Sequence, residues 1–317
     1  LGLPPEWYGA LEYQYPEHQR QGSYEEEGRS LNYLKAGLTT ADRIATVSPG
    51  YALEMTSPLG GWGLDGTAGS RWEKLDGVLN GIDEKEWNPA TDKLIAANYT
   101  ARTYANGKAE CKAALQREMG LPENPEAPLC IFIGRLDPQK GADIVIEAAP
   151  WIADQGAQLV MLGTGQTHLE HGMAAAEHAR RDAVRGYVGF NVALAHRMMA
   201  GADILLMPSR FEPCGLNQLF ALKYGTVPIV HATGGLSDSV RHFNPFENSG
   251  TGWTFDDCCT DALIHATGCA IDTYRRFPDS WKGILRRGMG TDVSWRQAAE
   301  KYEQLFVWAK ADLPQCS

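Results

Sequence analysis

The feature that most constrains this chain is a regular exchange of short apolar runs and longer amphipathic stretches between residues 107 and 231. A helical segment over 107–119 is stopped by Gly120 and Pro122. Beyond it, the runs 129–136, 158–162, 184–189, 204–207 and 227–231 read as strands. Helical patterns fill the gaps at 142–152, 169–181, 193–199 and 215–224. Strands that alternate with helices of this length form βαβ units with right-handed crossovers, and so a parallel sheet. The predicted class is α/β.

The first 80 residues do not read as a complete domain. They offer a helix-like stretch over 30–40, a short strand over 43–48 and a Gly-rich loop from Gly60-Gly61-Trp62-Gly63 to Gly69. The chain opens on Leu1 without a methionine, which suggests a fragment. The run Gly77-Val78-Leu79-Asn80-Gly81-Ile82-Asp83 ends in an Asn-Gly turn and is followed by Trp87-Asn88-Pro89, so an interdomain linker is expected over 81–92. Near the C-terminus, Ala299, Tyr302, Phe306 and Ala309 fall at helical spacing and predict an amphipathic cover helix over 295–309.

Charge and cysteine content remove several functions. The formal net charge is −10, opposite to the basic footprint of a nucleic-acid binder. No apolar stretch approaches the ~20 residues of a bilayer-spanning helix, so neither nucleic acid nor membrane is an expected partner. The 7 cysteines are odd in number and show no C-x-x-C spacing, which points to a reducing compartment rather than a disulfide framework or a zinc site.

In an open parallel sheet, ligands sit outside the carboxyl ends of the strands, and three such ends carry unusual residues. In Gly134-Arg135-Leu136-Asp137-Pro138-Gln139-Lys140-Gly141, Arg135 and Lys140 put two cations at one strand mouth, suited to a phosphate or diphosphate. The bland reading is a solvated basic pair bridged to Asp137. In Ser209-Arg210-Phe211-Glu212-Pro213-Cys214-Gly215-Leu216-Asn217, a helix is expected to start near Pro213, with Gly215 admitting a ligand close to the backbone. Cys214 at that helix start is expected to have a lowered pKa and to line the site. Glu212 suits sugar hydroxyls as hydrogen-bond donors, or merely complements the helix end. The third end, His231-Ala232-Thr233-Gly234-Gly235-Leu236, is a weaker signal. Phe190, at the end of the run 184–189, could stack on a base, although lone aromatics more often belong to a core.

Other signals fail. Leu162-Gly163-Thr164-Gly165-Gln166-Thr167-His168 approximates a dinucleotide glycine fingerprint, but His168 stands in place of the third glycine. No acidic residue follows at a fitting strand end, so a nicotinamide enzyme is not expected. His168, His171 and His178 share a helix side without a carboxylate or thiolate to complete a metal set, so no metal is expected.

Taken together, Gly134 to Gly141, Ser209 to Leu216, Thr233-Gly234-Gly235-Leu236 and the linker with Asn80 and Trp87-Asn88-Pro89 closely resemble the starch synthases and bacterial glycogen synthases. The opening Leu3-Pro4-Pro5-Glu6-Trp7-Tyr8-Gly9-Ala10-Leu11-Glu12 and His242-Phe243-Asn244-Pro245-Phe246 look most like plant and algal soluble starch synthases.

The resemblance implies a B-type glycosyltransferase fold, with two Rossmann-like domains facing a cleft and the N-terminal one truncated. Residues 1–80 would be the tail of the acceptor-side domain and 81–92 the linker. Residues 93–294 would bind the nucleotide sugar, and 295–317 would cross back to the first domain. The implied reaction moves glucose from ADP-glucose to the non-reducing end of an α-1,4-glucan with retention, in a plastid, without a cofactor. A bacterial-type glycogen synthase and a non-catalytic binding module of the same fold are the alternatives. By matched position, Arg135 and Lys140 would neutralise the donor diphosphate and Glu212 would hold glucose hydroxyls. The backbone at Cys214, Gly215 and Leu216, with Thr233, Gly234 and Gly235, would support sugar and phosphate. Phe190 would pack on adenine, and Asn80 would reach the sugar site. The family's Lys-Thr-Gly-Gly-Leu loop and His-Asn segment do not occur in the sequence, so little or no turnover is expected of the 317 residues alone.

Overall fold

The computed structural model describes residues 2–3 and 31–312. The motif at 4–12 and Cys316 lie outside the described residues. The chain divides into two compact units, one of Leu1–Val78 with Ala299–Ser317 and one of Leu79–Ala298.

In the first unit, β1 (Gly2–Leu3) pairs antiparallel with β2 (Leu31–Asn32), and β3 (Ile44–Thr46) pairs parallel with β4 (Leu75–Gly77). Asn32 caps α1 (Tyr33–Thr40) by accepting from the Lys35 amide. Ser48 caps α2 (Pro49–Glu54) and Ser57 caps α3 (Pro58–Gly61), each followed by proline at the helix start. The segment expected to be a Gly-rich loop is thus partly helical, continuing into α4 (Asp65–Ser70). Leu38, Ile44, Ala52, Ala68 and Leu75 form its small core.

The second unit is built on α5 (Tyr104–Glu118) and five β-strands that alternate with helices. In order these are β5 (Leu129–Ile133), α6 (Ala142–Asp154), β6 (Gln158–Gly163), α7 (Thr167–Ala179), β7 (Val184–Val188), α8 (Val192–Gly201), β8 (Ile204–Met207), α9 (Asn217–Tyr224) and β9 (Val227–His231). After α10 (Gly234–Ser239), β10 (Trp253–Phe255) completes the sheet, and α11 (Thr260–Arg276) and α12 (Pro278–Met289) follow. The six strands run parallel in the order β10-β9-β8-β5-β6-β7. Except on the edge strand β7, their residues are almost wholly buried, as expected of a sheet covered by helices on both faces.

The order matters for function. From β5 the chain moves outward through β6 to β7, then returns to lay β8 on the other side of β5. The direction of winding therefore reverses between β5 and β8, which is where open α/β sheets leave a crevice.

Strand β5 is shorter than its apolar run implies. It ends at Ile133, and Leu136 makes an isolated bridge to Gly165. The last helix, α13 (Trp295–Asp312), runs from the second unit into the first. Its inward stripe is Ala298, Tyr302, Leu305 and Ala309, whereas Phe306 and Ala299 are exposed. The expected stripe was thus displaced by one residue at two of its four positions. Both choices satisfy a 3.6-residue period, and only packing decides between them.

Candidate active site

The loops after β5 and β8 meet at the point of reversal. Asp137 caps a 3-10 turn over Pro138–Lys140 by accepting from the Lys140 amide. Gly141 ends that turn at φ 69, and a Cβ there would lie 2.0 Å from the Pro208 carbonyl oxygen. Only glycine admits both this backbone conformation and this approach. The Arg210 amide donates to the Gln139 carbonyl at 2.8 Å, and the Arg210 guanidinium forks onto Asp143 at 2.7 and 2.9 Å. That pairing holds the Asp143 carboxyl below, and the Arg210 guanidinium above, its ordinary range.

These contacts bring Lys140 onto Glu212. Nζ lies 2.6 Å from Glu212 Oε2, with the side chains 24% and 7% exposed. The Ser209 hydroxyl donates to the same oxygen at 3.0 Å. Among the described residues Glu212 Oε1 takes no hydrogen bond. Glu212 is therefore neither a free acid nor a helix-end ornament; its first partner is the cation expected to meet a phosphate.

The Gly-Gly loop after β9 locks onto the same place. The Gly235 amide donates to the Glu212 carbonyl at 3.0 Å, and a Cβ on Gly235 would lie 2.1 Å from the Cys214 carbonyl oxygen. Thr233 is buried beside Gly234, which adopts φ 43. The main chain of Asn80 hydrogen-bonds the Cys214 thiol, so the segment after Val78 reaches this cluster as well. Arg135 is on the same loop as Lys140 but is 64% exposed and pairs with Asp137 at 3.1 Å, the bland arrangement considered for it. Its guanidinium also donates to Gln139, whose amide donates to the Phe211 carbonyl at 3.3 Å.

Two expectations for this loop fail. The helix begins at Asn217 rather than near Pro213, because Gly215 turns the chain at φ 70 and the Asn217 amide anchors to the Ile133 carbonyl at 2.8 Å. Cys214 has its thiol pKa raised, not lowered: burial outweighs the hydrogen bond from Asn80, and Glu212 and Asp238 add to the rise. Gly215 is required by its backbone at φ 70, and a Cβ there would lie 2.5 Å from Gln218 Oε1. Leu216 is exposed next to it.

Phe190 stands apart, 89% exposed on the loop between β7 and α8, so it is no core residue. The paired glycines after β6 also have a structural reason. A Cβ on Gly163 would lie 2.0 Å from the Gly134 carbonyl oxygen, and one on Gly165 2.3 Å from that of Leu136. They let two neighbouring strand-end loops touch, which explains a glycine fingerprint without a dinucleotide. Among the described residues no three of His, Cys, Asp and Glu group as a metal set.

Comparison with known proteins decides the family. Residues 117–267 match the model of glycosyl transferases group 1, and residues 2–69 match the starch synthase catalytic domain. Soluble starch synthase 1 of Oryza sativa subsp. japonica is 51% identical over 317 residues, covering 99% of this chain and 49% of the relative. The corresponding protein of Solanum tuberosum is 50% identical over 318 residues, covering 99% of this chain and 49% of its own length. The chain belongs to the starch synthase family. It spans about half the length of these curated relatives, both named chloroplastic/amyloplastic. Among solved structures, the catalytic domain of starch synthase IV from Arabidopsis thaliana, bound to ADP and acarbose, superposes with a TM-score of 0.85 at 34% identity. That match covers 90% of this chain and 59% of the other. A sucrose-phosphate synthase from Thermosynechococcus elongatus, at 20% identity and TM-score 0.59 over 96% of this chain and 66% of its own, shares the fold. This starch synthase family chain thus has the α/β, B-type glycosyltransferase fold.

Proposed function

We propose that the unit Leu79–Ala298 binds ADP-glucose, and that the protein transfers the glucose with retention to the non-reducing end of an α-1,4-glucan held by the unit containing Leu1–Val78. The observation that carries this reading is the Lys140–Glu212 pair at the reversal between β5 and β8. A cation and a carboxylate side by side suit a ligand that is anionic at one end and rich in hydroxyls at the other. Lys140 as a point charge and Arg135 as a planar fork meet the diphosphate. Glu212 accepts from glucose hydroxyls, with the backbone of Cys214, Gly215, Leu216, Thr233, Gly234 and Gly235 supporting sugar and phosphate. Phe190 offers an exposed ring for adenine, and Asn80 approaches the sugar through its contact with Cys214.

In the transfer, the bond between the anomeric carbon and the β-phosphate oxygen breaks, leaving ADP. A bond to the acceptor's 4-hydroxyl oxygen forms on the same face, and the hydroxyl proton passes to the departing phosphate. Charge placed in advance by Arg135 and Lys140 stabilises that departure, the kind of contribution worth ~10²–10³ in rate per donor removed. ADP-glucose enters as substrate, and no cofactor is called on. The reading puts the reaction in a plastid, supported by the relatives' names, both chloroplastic/amyloplastic.

The test is a competition of ADP-glucose against UDP-glucose for the chain and its Lys140→Ala variant. Preferential ADP-glucose binding, lost on substitution, supports the reading. Equal or absent binding of both donors sinks it.

A further inference from the structure

Glu212 is held from two sides, and the two holds are not equivalent. Lys140 is half-buried and, in the reading above, meets the diphosphate when the donor arrives. Ser209 is fully buried at the end of β8. Its hydroxyl meets Glu212 Oε2 at 3.0 Å, and its carbonyl oxygen lies 2.7 Å from His231 Nδ1. The other ring nitrogen of His231 lies 3.0 Å from the Asp256 carbonyl, so His231 bridges the ends of β8 and β10 from its own place at the end of β9. Ser209 is thus fixed through its main chain, and among the described residues its side chain hydrogen-bonds one carboxylate oxygen.

From this geometry we infer that Ser209 is a positioning residue for the hexose-binding carboxylate. Its hydroxyl keeps Oε2 in place when Lys140 is shared with the diphosphate, which leaves Oε1 to accept from the donor sugar. A buried carboxylate with one oxygen tied and the other open is set in one orientation; without the tie it rotates toward Lys140. The inference rests on the nucleotide-sugar reading of the site, and it adds a residue that neither the motif nor the family likeness assigns.

A residue with only a structural role in this turn would weaken ADP and ADP-glucose alike. A positioning role affects only the ligand that carries glucose. Calorimetric titration of both ligands into the 317-residue chain should therefore show Ser209→Ala losing about tenfold in ADP-glucose affinity, with ADP affinity unchanged. Ser209→Thr, which keeps the hydroxyl, should retain the preference for ADP-glucose. In a Glu212→Ala background, Ser209→Ala should change ADP-glucose affinity by less than about twofold, because the group it positions is gone. The inference is overturned by three results: an ADP-glucose affinity unaffected by Ser209→Ala, a parallel loss for ADP, or an undiminished effect without Glu212. If the unsubstituted chain binds neither ligand, the donor reading itself fails and this inference goes with it.

Discussion

The two ends of the six-stranded sheet use the same residue types for opposite purposes. At the carboxyl ends, Lys140 and Glu212 pair where solvent still reaches the lysine. At the amino ends, Lys112 is buried against Asp203, with Nζ 2.8 Å from Oδ2, 2.9 Å from the Pro125 carbonyl and 3.1 Å from the Tyr274 hydroxyl. One turn earlier on α5, Lys108 reaches the Ala200 carbonyl at 3.0 Å, the Tyr224 carbonyl at 3.2 Å and the Thr226 hydroxyl at 2.9 Å. It thereby ties together the C-terminal ends of α8 and α9. Nearby, Trp87 stacks between His196 and Phe220, and Tyr224 donates to Asp92 at 2.6 Å. A cavity of about 340 Å³ opens beside Lys112, Tyr274 and Trp281. There Lys112 has three acceptors for its three N–H groups, leaving none for an anion. The charged pair at one end keeps a lysine that solvent reaches; at the other, all three N–H groups of Lys112 already have partners.

If that contrast is right, stability and binding separate by position. Asp203→Ala leaves the Lys112 ammonium buried without its counter-charge, and should lower unfolding free energy by about 3–5 kcal/mol in denaturant titration. A loss under 1 kcal/mol would erase the distinction. Glu212→Gln should do the reverse: glucosyl transfer by the protein drops ~10²-fold or more while the denaturation midpoint stays near that of the wild type. Unchanged turnover would break the comparison at its other end.

A finer separation comes from pH. Burial lowers the Lys108 ammonium to about 8. Above that pH the folded chain has released a proton that the unfolded chain keeps up to the ordinary lysine range, so stability should rise with pH through this window. The gain relative to Lys108→Met should be on the order of 1–2 kcal/mol between pH 8 and 9.5. A flat difference would place the ammonium's partners elsewhere. The smallest effect is chemical: because burial raises the Cys214 thiol, iodoacetamide at neutral pH should modify the exposed Cys259 and Cys269 first. Early labelling of Cys214, read by peptide mass mapping, would restore the activated thiol that the sequence suggested.

The sequence revealed one end of the sheet far better than the other, for a physical reason. Turns at strand ends need glycine and proline, and Gly141, Gly215 and Gly235 mark the loops that converge on Glu212. The β5–β9 alternation was visible because buried parallel strands are continuous apolar runs. Lys108, Lys112 and Gln116, four residues apart on α5, look in sequence like a solvated helix face, yet all three are buried. Apart from the Pro125 carbonyl, the acceptors of the two lysines are carbonyls and side chains roughly ninety residues or more away, and no local pattern announces them. Ser209 was hidden differently, inside a motif whose chemistry drew attention to Glu212. The start of α9 was misplaced because Pro213 imitates a helix-opening proline while Gly215, two residues on, forbids one.

The central claim is that Lys140 and Glu212 form one donor site, and a structure of the chain with ADP-glucose tests it most directly. The account predicts the diphosphate within hydrogen-bond distance of Lys140 Nζ and a glucose hydroxyl on Glu212. A nucleotide bound away from the β5–β8 reversal, with the Lys140–Glu212 pair intact, would contradict it.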